Sequence, residues 1–154
     1  MEEPLYRPNV CAAIQKSGTN QLLMCHRIGY SADTGWQFPQ GGIDIGADLV
    51  AEMRRELREE IGTDNIRVVT ISPFYYTYTL PFGQPNRYPK YQGQIQRWIH
   101  AEFSDDDSTL NFSCEPAEFD AFTWMRPSVV LQHIIDFKYD VYFSALGDLG
   151  FLAQ

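Results

Sequence analysis

The alternation of apolar and polar positions cuts this chain into short strands set around one longer helical segment. Pro8 to Ile14 reads as a strand, Gly18-Thr19-Asn20 as a turn, and Gln21 to His26 as a second strand pairing back on the first. Gly29 to Gly35 is a loop of small and polar residues, and Trp36 to Phe38 is a short strand. Gly41-Gly42 forms a loop that delivers the chain to a helix start near Asp48. There the period lengthens. Leu49, Met53, Leu57 and Ile61 recur at the spacing of one helix face, so a helix runs from about Asp48 to Ile61, with Gly62 as its stop. Ile66 to Ser72 and Phe74 to Leu80 are strands rich in β-branched and aromatic residues, and Gln94 to Phe103 alternates as another. Pro81 to Gly93 holds three prolines, two glycines and two tyrosines, too long for a tight turn, and reads as a mobile loop over a site. Ser104 to Ser108 is an acidic turn and Phe122 to Met125 a short strand. Pro127 opens a final helix whose apolar positions include Val130, Leu131, Ile134, Ile135 and Val141. The expected fold class is α/β, a mixed sheet between helices. No repeat, linker or low-complexity stretch divides residues 1–154, which read as one domain.

The central helix carries a second stripe beside its apolar one. Glu52, Glu56, Glu59 and Glu60 fall within an arc of roughly 100°. Glu52/Glu56 and Glu56/Glu60 are like-charge i,i+4 pairs, each mildly destabilising. Arg54, Arg55 and Arg58 take the remaining side. Such a helix is either a solvated, salt-bridged surface element or a set of oxygen ligands for a hard divalent cation such as Mg²⁺ or Mn²⁺. The preceding run, Trp36 to Asp44, tips the balance. Its glycines allow close backbone approach to a ligand, and it ends at a helix N-terminus that favours anions.

Composition narrows the class. The chain has 154 residues, 44% hydrophobic and 14% aromatic, enough for a sizeable core. No stretch approaches the roughly 20 apolar residues of a membrane span, and the acidic start is unlike a signal peptide. Cys11, Cys25 and Cys114 lack metal-ligand or redox spacing and read as reduced thiols of a cytoplasmic protein. His26, His100 and His133 lack ligand spacing too and read as structural. A net charge of −8 argues against broad binding to DNA or other nucleic acid, while leaving room for a local basic pocket.

The stretch from Gly41 to Thr63 resembles the Nudix hydrolases, whose signature is G-x5-E-x7-R-E-U-x-E-E-x-G-U, with U apolar. Gly41, Arg55, Glu56, Leu57, Glu59, Glu60 and Gly62 match at the right spacing. Thr63 replaces the final apolar residue, and Ala47 stands where the family has its first Glu, which pairs with the arginine equivalent to Arg55. Asp48 and Glu52 are the nearby carboxylates able to substitute. Looser matches at Tyr6 to Val10, Gly93 to Trp98, Glu118 to Asp120 and Phe137 to Tyr142 are similar to the subgroup of RNA pyrophosphohydrolases and dinucleoside polyphosphate hydrolases.

That resemblance implies a Nudix α/β/α sandwich and a Mg²⁺-dependent (or Mn²⁺-dependent) enzyme. It also implies that Glu56, Glu59 and Glu60 bind metal, with the Gly41 carbonyl, and that one of them acts as base. Glu118 is a further metal ligand or base by the same analogy. Arg7, Arg27, Lys90, Arg97 and Lys138 are candidates for substrate phosphates, of which Arg27 and Lys138 match subgroup positions that contact substrate. Phe137 is a base-stacking candidate, with core packing as its other reading, and Tyr75, Tyr76 and Tyr78 read as alternating strand residues. The expected activity is removal of pyrophosphate from the 5′-triphosphate end of RNA, a step of mRNA decay. The alternatives are asymmetric cleavage of diadenosine polyphosphates and, because of Ala47, a weakened nucleotide-binding module.

Overall fold

The computed structural model describes residues 5–113 and 117–152, so Cys114 lies outside the described residues. The element order is β1 (Tyr6–Lys16), β2 (Leu22–Arg27), β3 (Trp36–Gln37), β4 (Gln40–Gly42), α1 (Leu49–Ile61), β5 (Arg67–Thr79), β6 (Gly93–Phe103), β7 (Phe119–Met125), α2 (Pro127–Val130) and α3 (Tyr139–Asp148). The strands form one mixed sheet in the order β3-β2-β1-β6-β5, with β4 on β1 and β7 on β2. β1 is the hub. It runs parallel to β6 from Tyr6↔Gly93 to Lys16↔Phe103, antiparallel to β4, and meets β2 at Gln15↔Leu22.

Successive side chains of β1 point to opposite faces. Val10, Ala12 and Ile14 pack with Met53, Leu57 and Ile61 of α1 on one face. Cys11 and Ala13 pack with Trp98, Phe38 and α3 residues Val141, Tyr142, Ala145 and Leu146 on the other. A sheet that is apolar on both faces needs a layer on each, and this is the α/β/α arrangement expected.

Four elements differ from the sequence-based expectation. Gly41-Gly42 is not a free loop: it is part of β4, pairing Val10↔Gly41 and Asn9↔Gly42. Ile66 to Ser72 and Phe74 to Leu80 are one strand, β5, whose register shifts between Val68 and Thr70 and between Ile71 and Tyr75 let it continue past Pro73. The expected final helix is broken. α2 ends at Val130, Ile135 is extended (φ −68°, ψ 141°), and a 3₁₀ turn over Asp136–Lys138 precedes α3. That break turns Phe137 and Lys138 toward the sheet instead of leaving them on a helix surface. The strand read at Phe122–Met125 begins earlier, at Phe119, where it pairs with Arg27.

Candidate active site

α1 is fixed at three points. Asp48 Oδ1 accepts from the Ala51 N–H at 2.9 Å, Met53, Leu57 and Ile61 are buried on the sheet, and Gly62 closes the helix in the left-handed region at φ 77°. Helical spacing then puts Glu60 beside the buried stripe, where it is only 8% exposed. Its Oε1 accepts from the Gln40 N–H at 3.1 Å, and its Oε2 has no partner among the described residues. Burial, with Glu118 and Glu56 nearby, pushes the Glu60 carboxyl well above the usual range. Glu56 is also pushed up by burial, against the pull of Arg55. The Glu56 carboxylate lies directly against Gly41, so any side chain there would collide with it; Gly42 likewise leaves the space that the Arg7 guanidinium fills.

Arg55 does not lie apart from the acidic arc, as the helical count suggested. Its Nη2 donates to Glu52 and to Glu56 at 2.9 Å each, and its Nη1 donates to Glu59 at 3.1 Å. The carboxylates are therefore gathered around a guanidinium. Among the described residues, no group of three His, Cys, Asp or Glu side chains is arranged to hold a metal ion. Arg54 and Arg58 do face away, Arg54 onto the Asp64 carbonyl and Arg58 onto the Asp64 carboxylate.

Across from α1 lies a cavity of about 450 Å³ whose walls differ in charge. Glu56, Glu59 and Glu118 line one part of it; Arg7, Arg27, Arg87 and Lys138 line another. None of these four cations forms an ion pair with a described residue. Three rest on aromatic rings instead: Arg7 lies 3.9 Å from the Tyr88 centroid, Arg27 4.8 Å from Tyr30 and Lys138 5.5 Å from Tyr78. Lys138 is 8% exposed, and burial, with Arg27 close by, pushes its amine down to about 8. Phe137 also lines the cavity, its ring 5.7 Å from that of Tyr78, while packing against the core.

Lys90 and Arg97 fall outside this cavity. Lys90 lies over Tyr91, and Arg97 donates to the Ser72 carbonyl at 2.7 Å and covers Tyr75. Their strand and loop positions turn them away from its lining. Tyr78 is more than an alternating strand residue, since it braces both Phe137 and Lys138. Arg87 and Tyr88 were not singled out by the sequence. Their only signal was membership of the Pro81 to Gly93 segment, which does bring Gln84 to Tyr88 to the cavity wall. The three histidines are engaged structurally: His26 with Asp120 at 2.7 Å and the Ser31 carbonyl, His100 with Gln15, and His133 with the Asp33 carbonyl. Cys11 and Cys25 are buried free thiols.

Comparison with known proteins gives this geometry a family. The model of the NUDIX domain matches residues 5–144. The chain belongs to the Nudix family. A protein of Gluconacetobacter diazotrophicus named RNA pyrophosphohydrolase is 37% identical over 97% of this chain and 94% of its own length. Among solved structures, the E. coli dihydroneopterin triphosphate pyrophosphohydrolase superposes with a TM-score of 0.66 at 14% identity, covering 93% of this chain and 99% of that one. A C. elegans Ap4A hydrolase gives 0.62 at 17%, covering 91% and 96%. This Nudix protein is thus a hydrolase acting on pyrophosphate bonds. The divalent cation common in such enzymes fits the residues present. Glu60 holds an orphaned buried oxygen, and the raised Glu56 and Glu60 carboxyls sit in a charge environment that a cation would relieve.

Proposed function

We propose that this Nudix hydrolase removes pyrophosphate from the 5′-triphosphate end of RNA, with Mg²⁺ or Mn²⁺ as cofactor. One observation carries the reading: a carboxylate wall faces, across one cavity, four cations that have no carboxylate partner among the described residues. A phosphate chain presents oxygens to both. The naming of similar proteins as RNA pyrophosphohydrolases supports the substrate class.

Glu56, Glu59 and Glu60, with the Gly41 carbonyl, would hold the cation, which when bound neutralises the diphosphate and activates a water. The chain's own residues do the rest. Arg7, Arg27, Arg87 and Lys138 bind phosphate oxygens by charge-assisted hydrogen bonds and set the register of the chain of phosphates. Phe137, braced by Tyr78, offers a face for a base beyond them. Glu118 lines the cavity from an exposed position, where a carboxylate can accept a proton from the attacking water.

The test is to incubate the protein with Mg²⁺ and, separately, triphosphorylated RNA, diadenosine tetraphosphate and a nucleoside triphosphate, and to identify the products. Pyrophosphate and monophosphorylated RNA as the fastest-formed products are expected. Faster cleavage of the dinucleotide would replace the RNA reading, and tight binding without products would make the protein a nucleotide-binding module.

A further inference from the structure

We infer that Glu52 is a positioning residue that supplies Arg55 with the carboxylate missing at position 47. The inference rests on the metal-dependent reading of the site. Ala47 has only a methyl group where the family signature carries Glu, so the box arginine has lost its expected partner from the turn before the helix. Arg55 is nevertheless held. Glu52, one helical turn earlier, accepts from its Nη2 at 2.9 Å, and this hydrogen bond is the largest of the effects that strengthen the charge on Arg55. Asp48, the other nearby carboxylate, is committed to capping the helix through the Ala51 N–H.

What distinguishes Glu52 from the other two partners of Arg55 is where it sits. Glu56 and Glu59 line the cavity; Glu52 does not. A cation in the cavity draws on Glu56 and Glu59 and competes with Arg55 for them. Glu52 is outside that competition, so it alone can stay on Arg55 when the others turn inward. A guanidinium tethered at one side keeps its place behind the cluster, and the rotamers of Glu56 stay narrow against Gly41. The pair spans i,i+3 on a helix already fixed by its cap and buried stripe, so little ordering is left to offset it.

Reciprocal rescue tests this with two readouts. In the metal-free protein, Glu52→Gln should lower the melting temperature by about 2 °C, the scale of a half-exposed ion pair in a chain of this size. Adding Ala47→Glu should restore it, and in an Arg55→Gln background Glu52→Gln should no longer lower it, since only the Glu52/Glu56 repulsion is then left to remove. In turnover with Mg²⁺, Glu52→Gln should lower kcat by about ten-fold with KM within about two-fold, the signature of lost preorganisation rather than lost binding. Substrate-free Mn²⁺ affinity should fall by a similar factor, of order ten. Ala47→Glu alone should change little, and the double variant should regain most of the parental rate. The assignment is overturned if Glu52→Gln turns over like the parent, if Ala47→Glu fails to rescue it, or if Glu52→Gln lowers stability equally without Arg55. If the stability cycle holds while no phosphoanhydride is cleaved, the proposed function falls and the Glu52 assignment stands.

Discussion

The two walls of the cavity are built on opposite plans. The acidic wall stands mainly on one helix, and two of its carboxylates are already answered: Arg55 touches Glu56 and Glu59, as well as Glu52 outside the cavity. The basic wall is assembled from four separate segments, with Arg7 on β1, Arg27 at the end of β2, Arg87 in the 81–92 loop and Lys138 in the 3₁₀ turn before α3. Elsewhere Lys16, Arg58 and Arg67 pair with carboxylates, in a chain with twenty acidic residues to spare. Inside the cavity three of the four cations rest on tyrosines. A ring face holds a cation in place without cancelling its charge, so the positive end remains available to an anion. On the acidic wall Glu56 and Glu59 share one guanidinium, whereas the cations of the basic wall have no carboxylate partner among the described residues.

The comparison breaks most sharply at the acidic wall. Glu56→Gln, Glu59→Gln and Glu60→Gln should each lower kcat by about two orders of magnitude or more while the fold survives. Near-parental rates in all three would remove the metal assignment. Glu60→Gln should also stabilise the metal-free protein. The folded-state carboxyl is raised above its unfolded value, so its contribution is fully present at acidic pH and is lost as pH rises through the raised value. Thermal unfolding at neutral pH in chelator, parent against variant, reads this directly.

At the basic wall the effects should be smaller and fall on KM. Arg87→Ala should raise KM for triphosphorylated RNA by about ten-fold, the scale of one charge-assisted contact, whereas Arg97→Ala should leave it unchanged. Phe137→Ala should weaken use of RNA ends by about ten-fold and free nucleoside triphosphate much less; equal losses would mean that core packing is its whole role. The smallest effect concerns Lys138, whose amine is pushed down to about 8. It is charged below that pH and neutral above, so KM should rise as pH passes upward through it, and Lys138→Arg should abolish the rise. The same depression costs stability at neutral pH, a cost that fades as pH climbs toward 10.5, the ordinary lysine value. Lys138→Met should therefore raise the melting temperature at pH 7 while impairing substrate use.

The same contrast explains what was legible beforehand. Glu56, Glu59 and Glu60 share a helix with a buried stripe, and a 3.6-residue period is visible in a single chain. The strands Pro8 to Ile14 and Gln94 to Phe103 showed themselves by the same kind of local rule. Arg87 carried no local signal, because an arginine in a loop is ordinary until the fold closes the loop over something. That Lys90 and Arg97 lie outside the cavity was hidden for the complementary reason: nothing in their neighbourhoods says which way a strand or loop will turn them. The broken final helix was missed because Val130 and Ile134 keep helical spacing through a segment that is not helical. Arg55 reaches the acidic arc from the other side of the helix because a long, flexible guanidinium does not stay at its Cα angle.

The pairing of β1 has a consequence for how the molecule is made. β1 meets β2 at one register position and β4 at three, but lies against β6 along its whole length. Its principal partner is therefore far downstream. At synthesis speeds of about 5–20 residues per second, the apolar run Val10 to Ile14 waits for seconds before Gly93 to Phe103 arrives to cover it. Parallel, long-range pairing of this kind closes late and leaves unfinished chains adhesive. Charge does little to keep such chains apart: residues 1–92 hold nine Lys and Arg against ten Asp and Glu, a net −1, and the other seven negative charges of the total of −8 enter only with residues 93–154.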